Sequence, residues 1–298
     1  MKLKWAQYAI ALLVIGSAYG FIVSDKELKR VVSPAIVFLK THLLHSLLSE
    51  TPDTHDIVRL LRVYRAYDAE GPIQLRRIGR DRDGGYVVPE IAIQKADAVM
   101  GYGISDDISF EESVAAIYEK PSWGFDGTCP PVETTHELCH FVPLCIVSNK
   151  QMSEGRNASF DEQVEMLGIR GKKLFVKMDI EGNEYDTLPD LLQHTRDITG
   201  IVLEIHFPAD NQIAEALNLL RTLDKDFLLV HVHGNNYCLD HFVTSNSTGR
   251  LPRVMELSYI NKRLVEKYEI SPDQSHPTKD DLPNNRDVSD MEFAILDL

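Results

Sequence analysis

The sequence has few cysteines, few tryptophans and no surplus of positive charge. Its 298 residues include 4 Cys and 2 Trp, and 31 Lys and Arg residues stand against 45 Asp and Glu residues, a formal net charge of −14. No two cysteines have the C-x-x-C spacing of a zinc ribbon, which argues against that class of domain. The acidic balance argues against nucleic acid as a partner, because phosphate binding requires an excess of Lys and Arg.

The chain also lacks internal repeats and low-complexity segments. Its hydrophobic fraction of 44% and charged fraction of 26% are ordinary for a globular protein and exclude disordered, collagen-like and coiled-coil chains. A chain of this length buries enough surface to form a sizeable core without disulfide staples. The composition therefore predicts at least one folded domain.

An uncharged run of 19 residues, 5–23, lies near the N-terminus. At a rise of about 1.5 Å per residue, a helix of this length is just long enough to cross a bilayer core of about 30 Å. We interpret residues 1–23 as a signal-anchor that forms a transmembrane helix, and residues 24–53 as a stalk or packing helix. A cleaved signal peptide and a buried helix of a soluble protein are the alternatives.

The anchor interpretation predicts a single-pass membrane protein. Positive charges flank the apolar run on both sides and nearly balance, and we favour a cytoplasmic N-terminus. This orientation places the bulk of the chain in a lumenal or extracytoplasmic compartment. Asn157 and Asn246 both begin an N-x-S/T glycosylation pattern, which has meaning only in that compartment.

Beyond residue 54 the apolar pattern alternates between strand-like and helix-like runs. The predicted strands are 96–102, 122–125, 141–147, 174–180, 201–207, 227–232 and 254–260. The predicted helices are 56–69, 109–119, 160–167, 185–194 and 211–223. Strands that alternate with helices predict a parallel sheet covered on both faces, with the last two strands as an antiparallel pair. We expect one α/β domain over residues 54–298.

Two strand ends carry residues suited to binding a nucleoside. In open α/β sheets, ligands bind beyond the carboxyl ends of the strands. Gly101 and Gly103 follow the first strand and allow close approach of a ligand to the backbone, although the segment is not a GxGxxG motif. Asp126 ends the second strand, where a carboxylate accepts hydrogen bonds from ribose hydroxyls. A tight turn without a ligand and a solvent-exposed aspartate are the alternatives.

Acids and imidazoles follow the next three strands of the predicted sheet. Asp179 and Glu181 end one strand, Glu204 and His206 end the next, and His233 ends the third. This set suggests a general-base site, because histidine titrates near neutral pH. It equally suggests a divalent metal site with Asp179, Glu204 and His206 as ligands. Hydrogen-bonded polar residues that cap the strand ends are the third interpretation.

An ordered set of short segments gives the chain a family resemblance. The segments are RIGRD at 77–81, DGGYVV at 83–88, GYGI at 101–104, SFE at 109–111, GFD at 124–126, KMDIEG at 177–182, LEIH at 203–206, HGNN at 233–236, EL at 256–257 and PNN at 283–285. With these segments the chain resembles the FkbM-like S-adenosylmethionine-dependent methyltransferases, in particular the branch that includes the methyltransferase-like membrane proteins of animals.

The resemblance implies a Rossmann-like methyltransferase fold with a seven-stranded sheet and S-adenosylmethionine as cofactor. It implies that Gly101, Gly103 and Ser105 face the methionine part of the cofactor, that Asp126 holds the ribose hydroxyls and that Asp179 lies near the site of methyl transfer. The chain departs from the family pattern in its glycine turn, which has fewer glycines than usual and no acid at its start, and at Gly127, where this branch often has Pro.

The family-level expectation is O-methylation of a sugar or another small hydroxyl acceptor. A hydroxyl is a poor nucleophile, so we expect a base, His206 or His233, or a metal held by Asp179 and Glu204. One alternative is a membrane-anchored glycosyltransferase that uses the acidic pair of Asp179 and Glu181 to hold Mn²⁺ and a nucleotide-sugar. The other is a non-catalytic, membrane-tethered interaction module.

Overall fold

Seven strands form the central sheet of the computed structural model. The structure describes residues 52–151, 155–207, 213–243 and 250–295. The predicted anchor at 1–23 and nearly all of the predicted stalk at 24–53 lie outside these residues. Among the helices that are described, none is long and apolar enough to cross a membrane.

The central sheet is parallel except for its last strand in sequence. Its strands are β1 (Ala98–Tyr102), β2 (Ser122–Phe125), β3 (Cys139–Val142), β4 (Leu174–Met178), β5 (Ile198–His206), β6 (Phe227–Gly234) and β7 (Val254–Asn261). Their order in space is β3-β2-β1-β4-β5-β7-β6, and β7 is antiparallel to both of its neighbours. The strand order reverses direction between β1 and β4, where an open α/β sheet leaves a crevice at its carboxyl edge.

Helices cover both faces of the sheet. They are α1 (Pro52–Leu60), α2 (Glu90–Gln94), α3 (Ser109–Tyr118), α4 (Phe160–Met166), α5 (Glu184–Leu191) and α6 (Ile213–Asp226), with single 3-10 turns at Leu192–His194 and Lys262–Leu264. Apolar side chains of α1, α4, α5 and α6 join one core cluster, and those of α2 and α3 join the other. The predicted α/β architecture with a seven-stranded sheet is therefore confirmed.

Alternating side chains of each central strand enter the two cores. Met100 and Val176 belong to the larger cluster, whereas Val99 and Phe175, their neighbours in sequence, belong to the cluster on the opposite face. This alternation is the period of two expected of a pleated strand. Because both faces are covered, these strands are mostly apolar, as is typical of a parallel sheet, and Lys177 on β4 is a buried charged exception.

Five small sheets surround the central one. Tyr64–Asp68 pairs with Gly71–Pro72 and with Lys267–Ile270, and Leu75–Ile78 pairs with Tyr86–Pro89. The remaining pairs are Cys145–Val147 with Asn157–Ser159, His241–Val243 with Arg250–Pro252, and Ser275–His276 with Phe293–Ala294. The pair Leu75–Ile78 and Tyr86–Pro89 bears on the candidate site, because the loop between its strands, 79–85, and Tyr86 reach the sheet's carboxyl edge.

Two details of the predicted elements are wrong. The predicted helix 56–69 ends at Leu60, and its second half is the strand Tyr64–Asp68, because antiparallel pairing with Lys267–Ile270 outweighs the helical spacing of its apolar residues. The predicted strand 141–147 is broken at Pro143, which has no N–H for a ladder. By contrast, the last two strands, β6 and β7, form the antiparallel pair at one end of the sheet that the sequence predicts.

Candidate functional site

A cavity opens at the carboxyl ends of β1, β2 and β4, at the point where the strand order reverses. Its volume is about 450 Å³, the size of many small-ligand sites. Four of the predicted cofactor-binding residues line it: Gly103, Ser105, Asp126 and Asp179. The fifth, Gly101, is not among the described residues that line the cavity, and its part in the site is indirect.

The turn after β1 lies directly against the turn after β4. Gly103 has a φ of +71°, and a Cβ atom at this position would lie 1.5 Å from the backbone oxygen of Asp179. Only glycine fits such an approach. The buried ammonium of Lys177, on β4, donates hydrogen bonds to the carbonyls of Gly103 at 2.9 Å and Tyr102 at 3.3 Å. These contacts fix the floor of the cavity.

Two residues of the cavity wall adopt left-handed backbone conformations that residues other than glycine seldom adopt. Ser105 has a φ of 49° and Glu181 a φ of 56°. Backbone strain of this kind costs free energy and tends to occur where a ligand site requires a particular chain path. Its presence in both turns agrees with a binding role for this edge of the sheet.

Asp126 joins the turns after β1 and β2. Its Oδ2 accepts a hydrogen bond from the backbone N–H of Ser105 at 3.0 Å, and its Oδ1 accepts from the backbone N–H and the hydroxyl of Thr128 at 2.7 and 2.6 Å. Burial raises the pKa of Asp126, but the hydrogen bonds from Thr128 and Ser105 outweigh it and lower the pKa below its ordinary value. The carboxylate is therefore ionised, and Oδ2 retains a lone pair for a ligand hydroxyl.

Glu111 is a residue of the cavity wall that the sequence interpretation did not select. It lies in the first turn of α3, is 1% exposed, and its Oε1 has no hydrogen-bond partner among the described residues. A Cβ on Gly101 would lie 1.6 Å from this oxygen, so the glycine leaves the space that Glu111 occupies. Burial raises the pKa of Glu111 to about 7, although Lys177 acts to lower it.

A signal for Glu111 was present in the sequence. Val114 and Ala115, three and four residues further along α3, are both buried, so helical spacing puts Glu111 on the buried face of the helix. An acid in the first helical turn is usually explained by its favourable interaction with the helix dipole. Because that explanation was sufficient, it offered no separate reason to expect Glu111 to be buried.

Beside the cavity, the structure brings together two of the predicted metal ligands and a third residue. Asp179, Glu181 and His206 each present one ligand atom, and these atoms lie within 4.8 Å of one another. Nε2 of His206 lies 3.3 Å from Oε2 of Glu181, and its Nδ1 lies 3.5 Å from Oε1 of the buried Glu184. Burial lowers the pKa of His206, but the carboxylates of Glu184, Asp179 and Glu181 raise it above its ordinary value.

Asp179 connects this group to the cavity. The Tyr86 hydroxyl donates a hydrogen bond to its Oδ2 at 3.0 Å, while Oδ1 is buried and has no hydrogen-bond partner in the described part of the chain. Burial raises the pKa of Asp179, and Lys177 and the Tyr86 hydroxyl act in the opposite direction. Asp179 thus has one acceptor atom free for a cation or a ligand donor.

Glu204, the third predicted metal ligand, stands behind this group. Its Oε1 is 3.5 Å from Nε2 of His206, and its Oε2 accepts a hydrogen bond from the side-chain amide of Asn235 at 2.9 Å. Burial, with Asp179 and Glu256 nearby, raises its pKa well above the ordinary value. Glu181 therefore takes the position in the group that the sequence assigned to Glu204.

His233 lies in a buried ion network rather than in the cavity wall. Its two ring nitrogens lie 3.2 Å from Oε2 of Glu256 and 3.2 Å from Oδ1 of Asp290. Burial alone would lower the pKa of His233, but the carboxylates of Glu256 and Asp290 raise it to about 10. The described residues that line the cavity do not include His233, and the general-base role that the sequence suggests for it stays a prediction.

Comparison with known proteins adds little. No protein-family model and no curated protein matches the chain. Among solved structures, a riboflavin biosynthesis protein from Shewanella sp. PV-4 is 16% identical over 58% of this chain and 78% of its own, with a TM-score of 0.21. A likeness at that score carries no argument about this chain's fold or activity.

The charge of His233 predicts a pH dependence of stability. Because its folded-state pKa of about 10 exceeds the ordinary 6.5, its contribution is complete below pH 6.5 and is lost as the pH rises through about 10. We expect the free energy of unfolding of the unmodified protein to fall more between pH 7 and pH 9.5 than that of His233→Gln, as measured by urea denaturation. His140→Gln, at an exposed histidine, is the control and should follow the unmodified protein. Parallel curves for all three proteins would contradict the assignment.

Proposed function

We propose that the protein is an S-adenosylmethionine-dependent methyltransferase with a Rossmann-like sheet, acting on a hydroxyl of a sugar or another small acceptor. The cavity supports this proposal by its place, because it lies at the reversal of strand order between β1 and β4, where such sheets bind nucleoside ligands. The family resemblance of the sequence also implies a binding site at the carboxyl edge of the sheet and S-adenosylmethionine as the cofactor.

The charge of the cavity wall is the observation that carries the proposal. Of the described residues that line it, seven bear carboxyl groups and two are basic. The acids are Asp83, Asp106, Asp107, Glu111, Asp126, Asp179 and Glu181, and the bases are Arg80 and Lys177. Such a wall favours a cationic ligand, as a sulfonium is, and repels the diphosphate of a nucleotide-sugar.

The residues present fit this cofactor. Asp126 has a free lone pair for a ribose hydroxyl beside the backbone turn of Gly103 and Ser105. When bound, S-adenosylmethionine supplies an electrophilic methyl group on its sulfonium. The protein must align an acceptor hydroxyl with that methyl group and remove the hydroxyl proton. His206, half-buried next to Asp179 and reached from solvent, is the residue that we assign to accept the proton at Nε2.

A bound nucleoside should stabilise the protein. At about 100 times the dissociation constant a ligand adds about 2.7 kcal/mol to the free energy of unfolding, so we expect a clear rise of Tm with S-adenosylhomocysteine. Asp126→Asn should reduce this rise, because the amide lacks the carboxylate's charge and one of its acceptor atoms. Asp97→Asn, at a position outside the cavity wall, is the matched control.

The same thermal-shift experiment separates the alternatives. Stabilisation by a uridine-diphosphate sugar with Mn²⁺, and none by S-adenosylhomocysteine, would favour the glycosyltransferase. No shift with either ligand would favour the non-catalytic interaction module.

A divalent cation is the second way to activate the acceptor, and the group of Asp179, Glu181 and His206 supports it. Oxygen and imidazole ligands suit Mn²⁺, and Glu184 lies behind His206 as a carboxylate commonly does at metal sites. We expect Mn²⁺ to bind at this group and Glu181→Gln to weaken binding at least about tenfold, since a charged ligand is lost. Isothermal titration with Mn²⁺ measures this, with the exposed Glu119→Gln as control. Absence of Mn²⁺ binding to the unmodified protein would leave the base His206 as the activating group.

We propose that the domain is tethered to a membrane by residues 1–23 and faces a lumenal compartment. Asn157 is exposed in the structure and begins an N-x-S acceptor sequence. In a eukaryotic host the full chain should resist carbonate extraction, and a glycosidase-sensitive mobility shift should become smaller in Asn157→Gln and disappear when Asn246→Gln is added. A chain that stays with the membrane but is not glycosylated would indicate the opposite orientation. Release of the chain by carbonate would contradict the membrane anchor.

A further inference from the structure

Glu111 is a buried acid that the proposed mechanism does not use. Its side chain lines the cavity and is 1% exposed, yet Oε1 has no hydrogen-bond partner among the described residues. Leaving a buried acceptor unpaired costs free energy, so such atoms are uncommon in native proteins and call for an explanation. A ligand that donates a hydrogen bond to Oε1 would supply one.

The basic residues of the cavity are already committed to other acceptors. Lys177 donates to the backbone carbonyls of Gly103 and Tyr102, and the guanidinium of Arg80 pairs with Asp107 at 2.9 Å. Lys177 lies near enough to oppose the rise in the pKa of Glu111 but does not cancel it. The carboxyl of Glu111 is thus left for a cation from outside the chain.

The position of Glu111 indicates which part of a ligand it meets. It occupies the space left by Gly101, beneath the turn after β1, whereas Asp126 stands at the end of the neighbouring strand β2. Asp126, Gly103 and Glu111 line the same cavity, so a nucleoside whose ribose contacts Asp126 has Glu111 within the space open to its 5′ substituent. The turn itself offers no acid between Gly101 and Asp106, and Asp106 is exposed to solvent.

We propose, resting on the proposed function, that Glu111 binds the α-ammonium group of the amino-acid part of the cofactor and so distinguishes a nucleoside that carries an amino acid at its 5′ position from a plain nucleoside. The carboxylate accepts a charge-assisted hydrogen bond from the ammonium. The helix α3 thereby supplies the acid that the glycine turn lacks.

This role predicts that ligand binding releases a proton. The titratable and charged groups that face Glu111 are Lys177 on β4, Asp107 in the loop before α3 and Cys139 on β3. With a pKa of about 7, much of Glu111 is protonated in the free protein at pH 6, and a cationic ligand requires it to ionise. Affinity for such a ligand should fall as the pH is lowered below 7, by at most about tenfold per pH unit.

The test uses isothermal titration of the full chain with two ligands. S-adenosylhomocysteine carries the α-ammonium group, and 5′-methylthioadenosine lacks the whole amino-acid part. Glu111→Gln should weaken binding of the first at least about tenfold, which is typical of losing a charge-assisted bond, and leave binding of the second within about twofold. Glu112→Gln, the same substitution one residue along α3, should change neither affinity.

Titration at pH 6 in buffers of different ionisation enthalpy gives a second readout. The unmodified protein should release a proton into the buffer when it binds S-adenosylhomocysteine and should release none when it binds 5′-methylthioadenosine. This measurement stands even where Glu111→Gln fails to fold. Equal loss of both ligands in a folded Glu111→Gln, or no proton release, would overturn the role of Glu111 while leaving the proposed function intact. Failure of the unmodified protein to bind either ligand would overturn both.

Discussion

The buried ammonium of Lys177 is the interaction on which the site depends. It donates to two carbonyls at the end of β1 from its place on β4, and so joins the two strands across the reversal of the sheet. It lies 5.4 Å from the centre of the Tyr86 ring, whose hydroxyl in turn holds Asp179. A single positive charge thereby fixes two turns and offsets part of the negative charge that surrounds them.

The carboxyl groups around that charge differ in state because they differ in partners. Asp126 is held ionised by backbone and hydroxyl donors, whereas burial raises the pKa of Glu111 to about 7 and that of Glu204 well above the ordinary range. Burial penalises a carboxylate unless donors compensate, so the number of nearby N–H and O–H groups decides each case. The site is consequently less negative without a ligand than its sequence suggests, and it gains negative charge when a cation enters.

Much of the fold could be predicted from the sequence, because strand and helix periods are local properties of the chain. The central strands near Met100, Val176 and Leu203 lie where the apolar runs indicated. The position of β7 and the strand Tyr64–Asp68 could not be predicted, since both depend on pairing with distant residues. Within the site, Asp126 was readable as the end of a strand, but the protonation of His233 depends on partners 23 and 57 residues away.

The insertion of β7 between β5 and β6 has a consequence for how the chain assembles. The strands that carry the cavity, β1, β2 and β4, pair with one another and are complete by residue 178. β6 meets the central sheet only through β7, which ends at residue 261. As the chain leaves the ribosome, the strands β1, β2 and β4 can pair before β7 is synthesised. During that time β6 is mostly apolar and has no partner strand in the central sheet. Pairings between distant segments form slowly, so this edge is where an incomplete chain is exposed to aggregation.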